Sequence, residues 1–258
     1  MRLADPLYAL YTRRLRRRLD GASLPRHIGL IMDGNRRWAR KQGLPDARMG
    51  HRYGAEHAEN VLRWCENLDI RHVTVFLCST ENLQSRRNDE IEFLMRVVED
   101  LVTDRLGRPD SRWRLHIAGS LDLLPDTTAA ALKQAIETTR ACDTGAHVTL
   151  AIGYGGRQEI IDAFRDLLYE GVSHGKTTGE IADNLTVDDL AAHLYTADQP
   201  DPDLVIRTSG EQRLSNFLLW QTAYAELYFC EAYWPAFREI DFLRALRNYA
   251  DRHRRYGA

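Results

Sequence analysis

The sequence lacks the features of exported and membrane-spanning chains. Its 258 residues contain no run of about 18 apolar residues, and no apolar core with a cleavage site stands at the beginning. Cysteine is scarce, and Cys65, Cys78, Cys142 and Cys230 are far apart, without the paired spacing of a metal site. We therefore expect buried free thiols and a reducing, cytoplasmic location.

An excess of positive charge is also missing, because the formal net charge is −2. This balance argues against a general nucleic-acid binder. Residues 6–19 nevertheless have apolar side chains at helical spacing and an opposite cationic face. That face is made by Arg13, Arg14, Arg16, Arg17 and Arg18. The pattern predicts an amphipathic helix with a solvated face packed on the domain, and peripheral contact with an anionic membrane is the alternative.

After Pro25, short apolar runs alternate with longer helical patterns, without an internal repeat. The runs are HIGLIM, HVTVFLC, WRLHIAG, HVTLAIGY, DLVIRT and ELYFC, and the helical patterns cover 51–68, 89–105, 127–141, 157–170, a segment near 216–224 and about 239–255. Strands this apolar are typical of parallel sheets with helices on both faces. With 44% hydrophobic residues and no long linker, the sequence predicts a single α/β domain over residues 1–258, with an open, mostly parallel sheet flanked by helices.

Two polar segments follow predicted strands, where ligands of open α/β sheets usually bind. The first begins at Asp33-Gly34 and includes Asn35, Arg36, Arg37, Trp38 and Arg40. A hard oxygen ligand beside cations suits Mg²⁺ held between the protein and a diphosphate. The alternative is an ordinary turn, in which Asp33 caps the next helix and the arginines are solvated.

The second polar segment covers residues 207–216, after DLVIRT. Arg207 and Arg213 can bind phosphate oxygens with their guanidinium groups, and Ser215 supplies a further donor. Glu226 precedes the next apolar run and is either a second metal-facing carboxylate or a surface glutamate. The turn GYGGRQEI at 153–160 lacks both the end of a P-loop and the GxGxxG pattern, which disfavours kinase-like and dinucleotide-binding functions.

These segments together resemble the cis-prenyltransferases, which include undecaprenyl diphosphate synthases and short-chain Z-farnesyl diphosphate synthases. The resemblance covers about Pro25 to Gly257 and is carried by IMDGNRRWAR, FLCSTENLQ, YGGR and DLVIRTSGEQRLSNFLLWQTAYAELYF, in the family's order. It implies an enzyme that joins isopentenyl diphosphate to an allylic diphosphate with Mg²⁺, and leaves a new cis double bond.

The resemblance also assigns roles to residues. Asp33 and Asn82 match catalytic positions, and Asp33 with Glu226 matches the carboxylates that hold the metal. The matches to substrate-binding positions are Gly34, Asn35, Arg36, Arg37, Trp38, His51, Ser79, Arg86, Arg207, Arg213, Ser215, Arg255 and Gly257. The ending Arg255-Tyr256-Gly257 resembles an R-x-G segment that reaches the active site of a second subunit, which implies a homodimer.

The chain departs from the family at three places. Arg36 stands where glycine is frequent, the cation ahead of the family histidine appears as Arg48, shifted by one residue, and SRRNDE is one residue longer than usual, which makes Arg86 an inexact match.

Leu77 bears on product length. Long-chain members place a small residue at this strand position and short-chain members a leucine, which can obstruct a growing tail. We therefore expect a short product such as Z,E-farnesyl diphosphate. A decaprenyl or undecaprenyl diphosphate synthase, a noncatalytic partner subunit and a phosphoryl-transfer enzyme are the alternatives.

Overall fold

The computed structural model describes residues 4–256, and side chains within 8–252. Six strands form one sheet, in the order β3-β4-β2-β1-β5-β6. The strands are β1 His27–Ile31, β2 His72–Ser79, β3 Arg114–Ala118, β4 His147–Tyr154, β5 Leu204–Arg207 and β6 Glu226–Phe229. Every neighbouring pair is parallel. The prediction of an open, mostly parallel α/β sheet is confirmed.

Ten α-helices surround this sheet in the described part of the chain. They are α1 Ala4–Leu19, α2 Asn35–Lys41, α3 Met49–Glu66, α4 Thr80–Ser85, α5 Asn88–Leu101, α6 Asp126–Thr139, α7 Gly156–Ser173, α8 Thr178–Asn184, α9 Val187–Ala191 and α10 Glu239–Tyr256. All five residues of β1 are buried, as expected for a central strand covered on both faces. None of the helices in residues 4–256 is long and apolar enough to cross a membrane.

The order of the strands places a crevice above β1. The chain adds β2, β4 and β3 on one side of β1 and later adds β5 and β6 on the other. Because the direction of winding reverses at β1, helices leave the sheet on opposite sides there, and the carboxyl ends of β1 and its neighbours border an open space. Asp33 follows β1 and Arg207 ends β5, so the two predicted polar segments meet at this edge.

The segment near 216–224 differs from its helical pattern, because it forms successive turns. Ser215, Asn216 and Leu218 have positive φ angles of 51°, 65° and 44°, which interrupt a helix. The thiols are buried only in part: Cys65 and Cys78 lie in the core, whereas Cys142 and Cys230 are half-buried.

Candidate active site

A cavity of about 780 Å³ lies at the carboxyl edge of β1, β2 and β5. Most of the predicted site residues line it. They are Asp33, Gly34, Asn35, Arg36, Arg37, His51, Leu77, Ser79, Asn82, Arg86, Arg207, Arg213 and Ser215. Residues that are 182 positions apart in sequence, from Asp33 to Ser215, therefore share one cavity.

The centre of the polar end is an ion pair between Asp33 and Arg207. The Arg207 Nη2 donates to Asp33 Oδ2 at 2.9 Å, and the backbone N–H of Gly34 donates to Oδ1 at 2.7 Å. Burial raises the pKa of the Asp33 carboxyl, but the hydrogen bonds from Arg207 and Gly34 and the nearby charges hold this pKa below its ordinary value. Asp33 is therefore an anion at neutral pH.

Gly34 permits this geometry because it has a φ of 97°. An added Cβ would lie 2.7 Å from the Tyr233 ring and 2.9 Å from the Ser209 Cβ. Only glycine fits between these neighbours without strain.

Arg207 is fixed by the loop that follows its own strand. Its side chain is 5% exposed, and Nη1 donates to the Ser215 hydroxyl at 2.8 Å and to the Arg213 carbonyl at 2.5 Å. The positive φ angles of Ser209, 77°, and Ser215, 51°, bend the loop around the guanidinium. The Nε of Arg207 is buried without a hydrogen-bond partner among the described residues.

Two arginines, Arg37 and Arg213, both contact the Glu211 carboxylate. Arg37 lies 3.1 Å and Arg213 2.5 Å from this carboxylate, and Arg37 also donates to the Ser209 hydroxyl at 2.7 Å. The hydrogen bond and charge of Arg213, with those of Arg37, lower the pKa of Glu211. Glu211 thus holds two arginines of different segments at one side of the cavity.

Two further arginines, Arg36 and Arg86, contact the Glu90 carboxylate at the start of α5. Arg36 lies 3.0 Å and Arg86 3.4 Å from its carboxylate. The Arg86 Nη1 is buried and has no hydrogen-bond partner within the described side chains. Arg86 lines the cavity despite the extra residue in SRRNDE.

His51 is held beside these cations in its neutral form. Burial and the charges of Arg86 and Arg36 lower its pKa to about 4. Its Nε2 is buried without a hydrogen-bond partner in the described part of the chain. A neutral imidazole with a free nitrogen can bind a diphosphate only by donating an N–H from that nitrogen.

Ser79 and Asn82 lie at the end of β2 and in α4. The Ser79 hydroxyl accepts the backbone N–H of Asn82 at 3.1 Å and so caps α4. This cap leaves the Asn82 amide at the cavity. The pair is thus positioned by one local hydrogen bond.

A bulge in β2 brings Leu77 into the cavity. Phe76 pairs with Ala151 and Cys78 with Ile152, so Leu77 has no partner in β4. Because the alternation of sides is interrupted there, Phe76, Leu77, Cys78 and Ser79 all line the cavity. Leu77 lies at its apolar end, which α5 completes with Leu94, Val97, Val98 and Leu101.

Two predicted residues, Trp38 and Glu226, do not line this cavity, and two others lie outside the described part of the chain. Trp38 packs against Tyr53, with 5.1 Å between ring centres. Glu226 begins β6 at the amino edge of the sheet, opposite Asp33, and lies 2.6 Å from Arg252. The Arg255 side chain and Gly257 lie outside the described residues.

Three charged or amide side chains of the cavity were missing from the predicted site. Arg40, Glu81 and Asn216 line the cavity, and the Asn216 amide donates to Glu81 Oε1 at 2.8 Å. Asn216 Oδ1 also accepts the backbone N–H of Arg157 at 2.9 Å, which links the YGGR turn to the loop after β5. All three residues lie within the sequence motifs that carry the family resemblance. Their place in those motifs could have identified them as site residues.

The donor set fits Mg²⁺ shared with a substrate. No group of three His, Cys, Asp or Glu residues in the described chain forms a complete metal cage. Mg²⁺ usually binds proteins through one or two carboxylates and completes its shell with water and phosphate oxygens. Asp33 is ionised, one-third exposed and surrounded by cations, so it offers such a carboxylate beside a diphosphate site.

Known proteins are similar to this chain over most of its length. A family model described as putative undecaprenyl diphosphate synthase matches residues 31–257. The isoprenyl transferase of Streptomyces fradiae is 67% identical to this chain, with 100% of both chains covered. The (2Z,6E)-farnesyl diphosphate synthase of Mycolicibacterium smegmatis is 50% identical, over 99% of this chain and 97% of its own.

A solved structure shares the fold. The crystal structure of lavandulyl diphosphate synthase from Lavandula x intermedia, in complex with dimethylallyl diphosphate, aligns with a TM-score of 0.80 at 33% identity. The alignment covers 88% of this chain and 95% of that chain.

Proposed function

The chain belongs to the undecaprenyl diphosphate synthase family of cis-prenyltransferases, and we propose that it condenses isopentenyl diphosphate with an allylic diphosphate to a short product such as Z,E-farnesyl diphosphate. One observation carries this proposal: a single cavity has an ionised Asp33 and six arginines at one end and leucine and valine side chains at the other. Such a cavity suits two diphosphate groups and a hydrocarbon tail.

The reaction breaks the bond between C1 and the diphosphate of the allylic substrate and joins C1 to isopentenyl diphosphate. Pyrophosphate leaves, one proton is lost and a cis double bond remains. Mg²⁺, where bound at Asp33, would neutralise charge on the allylic diphosphate as it leaves.

The arginines stabilise the same charge in a fixed arrangement. Arg207 and Arg213 would hold isopentenyl diphosphate with Ser215, and Arg36, Arg37 and Arg86 would face the allylic diphosphate. Because Glu90 and Glu211 already orient these guanidinium groups, little reorganisation is needed when charge develops. A neutral amide is a poor base, so Asn82 would orient the isopentenyl group without accepting its proton.

The apolar end would hold the tail and exclude water from carbocation-like states. Leu77 lines the same cavity as the α5 side chains, and it would limit the tail at about three isoprene units. A leucine in a packed wall yields little to added volume.

A homodimer is part of the proposal. Tyr224 is fully exposed before the edge strand β6, and Ile161 and Phe164 of α7 are 54% and 40% exposed, so apolar surface is available for a second copy. In such a dimer Arg255 and Gly257 would reach the partner's cavity, and Glu226 would act as a metal ligand only across the interface. Light scattering on the purified chain measures the oligomeric state.

We also propose that residues 1–258 form one domain with an amphipathic amino-terminal helix, and that the enzyme acts in the cytoplasm. The packing of α1 on α10 through Leu15 and Leu19 supports the first point, and the buried thiols of Cys65 and Cys78 suit a reducing compartment.

The decisive experiment is mass spectrometry of dephosphorylated products after incubation with Mg²⁺, isopentenyl diphosphate and geranyl or farnesyl diphosphate. A farnesyl product from geranyl diphosphate supports the proposal. Long polyprenols would keep the enzyme class and refute the short product. If neither primer condenses, the chain is a noncatalytic partner subunit.

A further inference from the structure

The outward face of α1 carries arginines that no described carboxylate neutralises. Arg13, Arg14, Arg17 and Arg18 are exposed and recur at a spacing that places them along one stripe of the helix. Within the described side chains, only Arg16 of this helix has an ion pair, with Glu239. Uncompensated positive charge is thus concentrated on one side of a chain whose net charge is −2.

Helix α10 extends this positive charge. The Arg244 guanidinium lies 5.4 Å from the centre of the Tyr11 ring, on the flank of α1. The hydrogen bond from Arg244, and the charges of Arg244 and Arg247, hold the pKa of Tyr11 below its ordinary value, so Arg247 also lies close to this flank. We call Arg13, Arg14, Arg17, Arg18 and Arg247 the basic face.

The basic face also contains one exposed apolar side chain. Leu10 is 64% exposed and lies between the arginines on the helical projection. The opposite side of α1 is occupied, because Leu15 and Leu19 are 1% and 4% exposed in the core. Contact with another surface would therefore be electrostatic, with Leu10 as the main apolar contribution.

We propose that the basic face attaches the enzyme to the surface of an anionic phospholipid bilayer. A bilayer presents many negative headgroups in one plane, and juxtaposed arginines add their attractions to it. The apolar face of α1 stays on α10, so the helix lies on the headgroups and does not insert. Such attachment weakens steeply with ionic strength, because the charges are solvent-exposed.

The test is sedimentation of the full chain with vesicles of phosphatidylcholine, alone or mixed with phosphatidylglycerol. We expect binding to the mixed vesicles only, and its loss at high salt. The variant Arg13→Gln, Arg14→Gln, Arg17→Gln and Arg18→Gln should bind the mixed vesicles at least about thirtyfold more weakly. The double variant Arg13→Gln and Arg17→Gln should bind at an intermediate level.

A matched control removes the same charge elsewhere. Its four substitutions are Arg96→Gln, Arg108→Gln, Arg112→Gln and Arg140→Gln, at exposed positions outside the basic face. This control should bind vesicles almost as the unmodified chain does. Neither set lines the cavity, so turnover of dissolved diphosphates should be unchanged.

Three outcomes would overturn the proposal. One is equal loss of binding in the two quadruple variants, which would make net charge the cause. Another is failure of the unmodified chain to bind mixed vesicles. The third is tighter binding of duplex DNA than of mixed vesicles at the same salt concentration, which would assign the basic face to a nucleic acid.

Discussion

At the scale of single residues, the ion pair between Asp33 and Arg207 contributes to the stability of the fold as well as to the proposed function. Arg207 is almost fully buried, and its charge is balanced chiefly by the Asp33 carboxylate. Removal of that carboxylate leaves a buried cation with an incomplete set of partners, which destabilises a fold. The Ser215 hydroxyl and the Arg213 carbonyl remain and limit this cost.

We predict that Asp33→Ala lowers turnover about a thousandfold, because the metal-facing carboxylate is lost, and lowers the free energy of unfolding by about 2 kcal/mol. Asp33→Asn should lose turnover similarly but keep more stability, since its amide oxygen still accepts from Arg207. Steady-state kinetics and urea titrations measure the two effects. Asp89→Asn, outside the cavity, is the control, and ordinary kinetics in folded Asp33→Ala would remove Asp33 from the mechanism.

Leu77 gives a second residue-scale prediction. Leu77→Ala opens the apolar end of the cavity between β2 and α5, so products should lengthen by at least one isoprene unit. Chromatography of dephosphorylated products compares the variant with Leu121→Ala, a partly buried leucine outside the cavity. An unchanged product distribution in Leu77→Ala would mean that another side chain stops the tail.

At the scale of elements, a buried network connects α7 to the turns after β5. The Glu159 carboxylate is fully buried and accepts from the Tyr154 hydroxyl at 2.5 Å, the Tyr195 backbone N–H at 3.0 Å and the Gln221 amide at 3.0 Å. Burial raises the pKa of Glu159 above its ordinary value. The network therefore holds the segment that contains Ser215 and Asn216 against the sheet.

We predict that Glu159→Ala lowers the free energy of unfolding by about 3 kcal/mol, because three buried donors lose their acceptor. Glu92→Ala, on the exposed surface of α5, should change it by less than about 0.5 kcal/mol. Guanidinium titrations measure both values. Equal stability of the two variants would show that water replaces the Glu159 carboxylate.

The same scale shows how far the sequence determined the site. Strand direction alone placed Asp33 and Arg207 at one edge, because both follow apolar runs of parallel strands. The same rule puts Glu226 at the opposite edge, since it is the first residue of β6, and sequence similarity had obscured this point. Trp38 packs against Tyr53 of α3, a contact between distant helices that its motif alone did not indicate.

The bulge at Leu77 was beyond the reach of sequence patterns. Alternation within HVTVFLC predicts that successive side chains point to opposite faces. A second irregularity follows in β4, where Gly153 has a φ of 56° and lies between the residues paired with Cys78 and Ser79. Pairing between distant segments, not local propensity, therefore shaped the apolar end of the cavity.

At the scale of the whole molecule, a row of histidines crosses four strands at the amino edge of the sheet. His27, His72 and His147 are register partners on β1, β2 and β4, and His116 of β3 lies 2.9 Å from His147. The rings of His72 and His147 stack at 4.8 Å. The sheet thus depends on these imidazoles staying uncharged beside one another.

The environment of the row disfavours protonation. Burial lowers the pKa of His27 to about 4, although the Pro200 carbonyl and Asp203 oppose this effect. Burial, His147 and Arg114 lower the pKa of His116 to about 4 as well, against the attraction of Asp198. Burial, His147 and Arg26 lower the pKa of His72.

We predict that the protein loses stability as the pH falls from 7.5 to 5. A histidine whose pKa is lower in the folded state binds its proton more readily when unfolded, so stability is complete above about pH 6.5 and falls toward pH 4. For His27 alone the loss at pH 5 is about 2 kcal/mol. Guanidinium titrations at both pH values and one protein concentration measure it.

The variant His27→Gln separates this cause from general acid sensitivity. It should be less stable than the unmodified chain at pH 7.5, because the ring contacts to Thr74 and Pro200 are lost, yet its further loss at pH 5 should be about 2 kcal/mol smaller. His174→Gln, at an exposed turn, should keep the full pH dependence. The carboxylates with lowered pKa values, such as Asp33, lose their contribution only at still lower pH. A pH dependence that survives in His27→Gln would come from the other histidines whose pKa values are lowered by burial, which are the rest of the row together with His51 and His57.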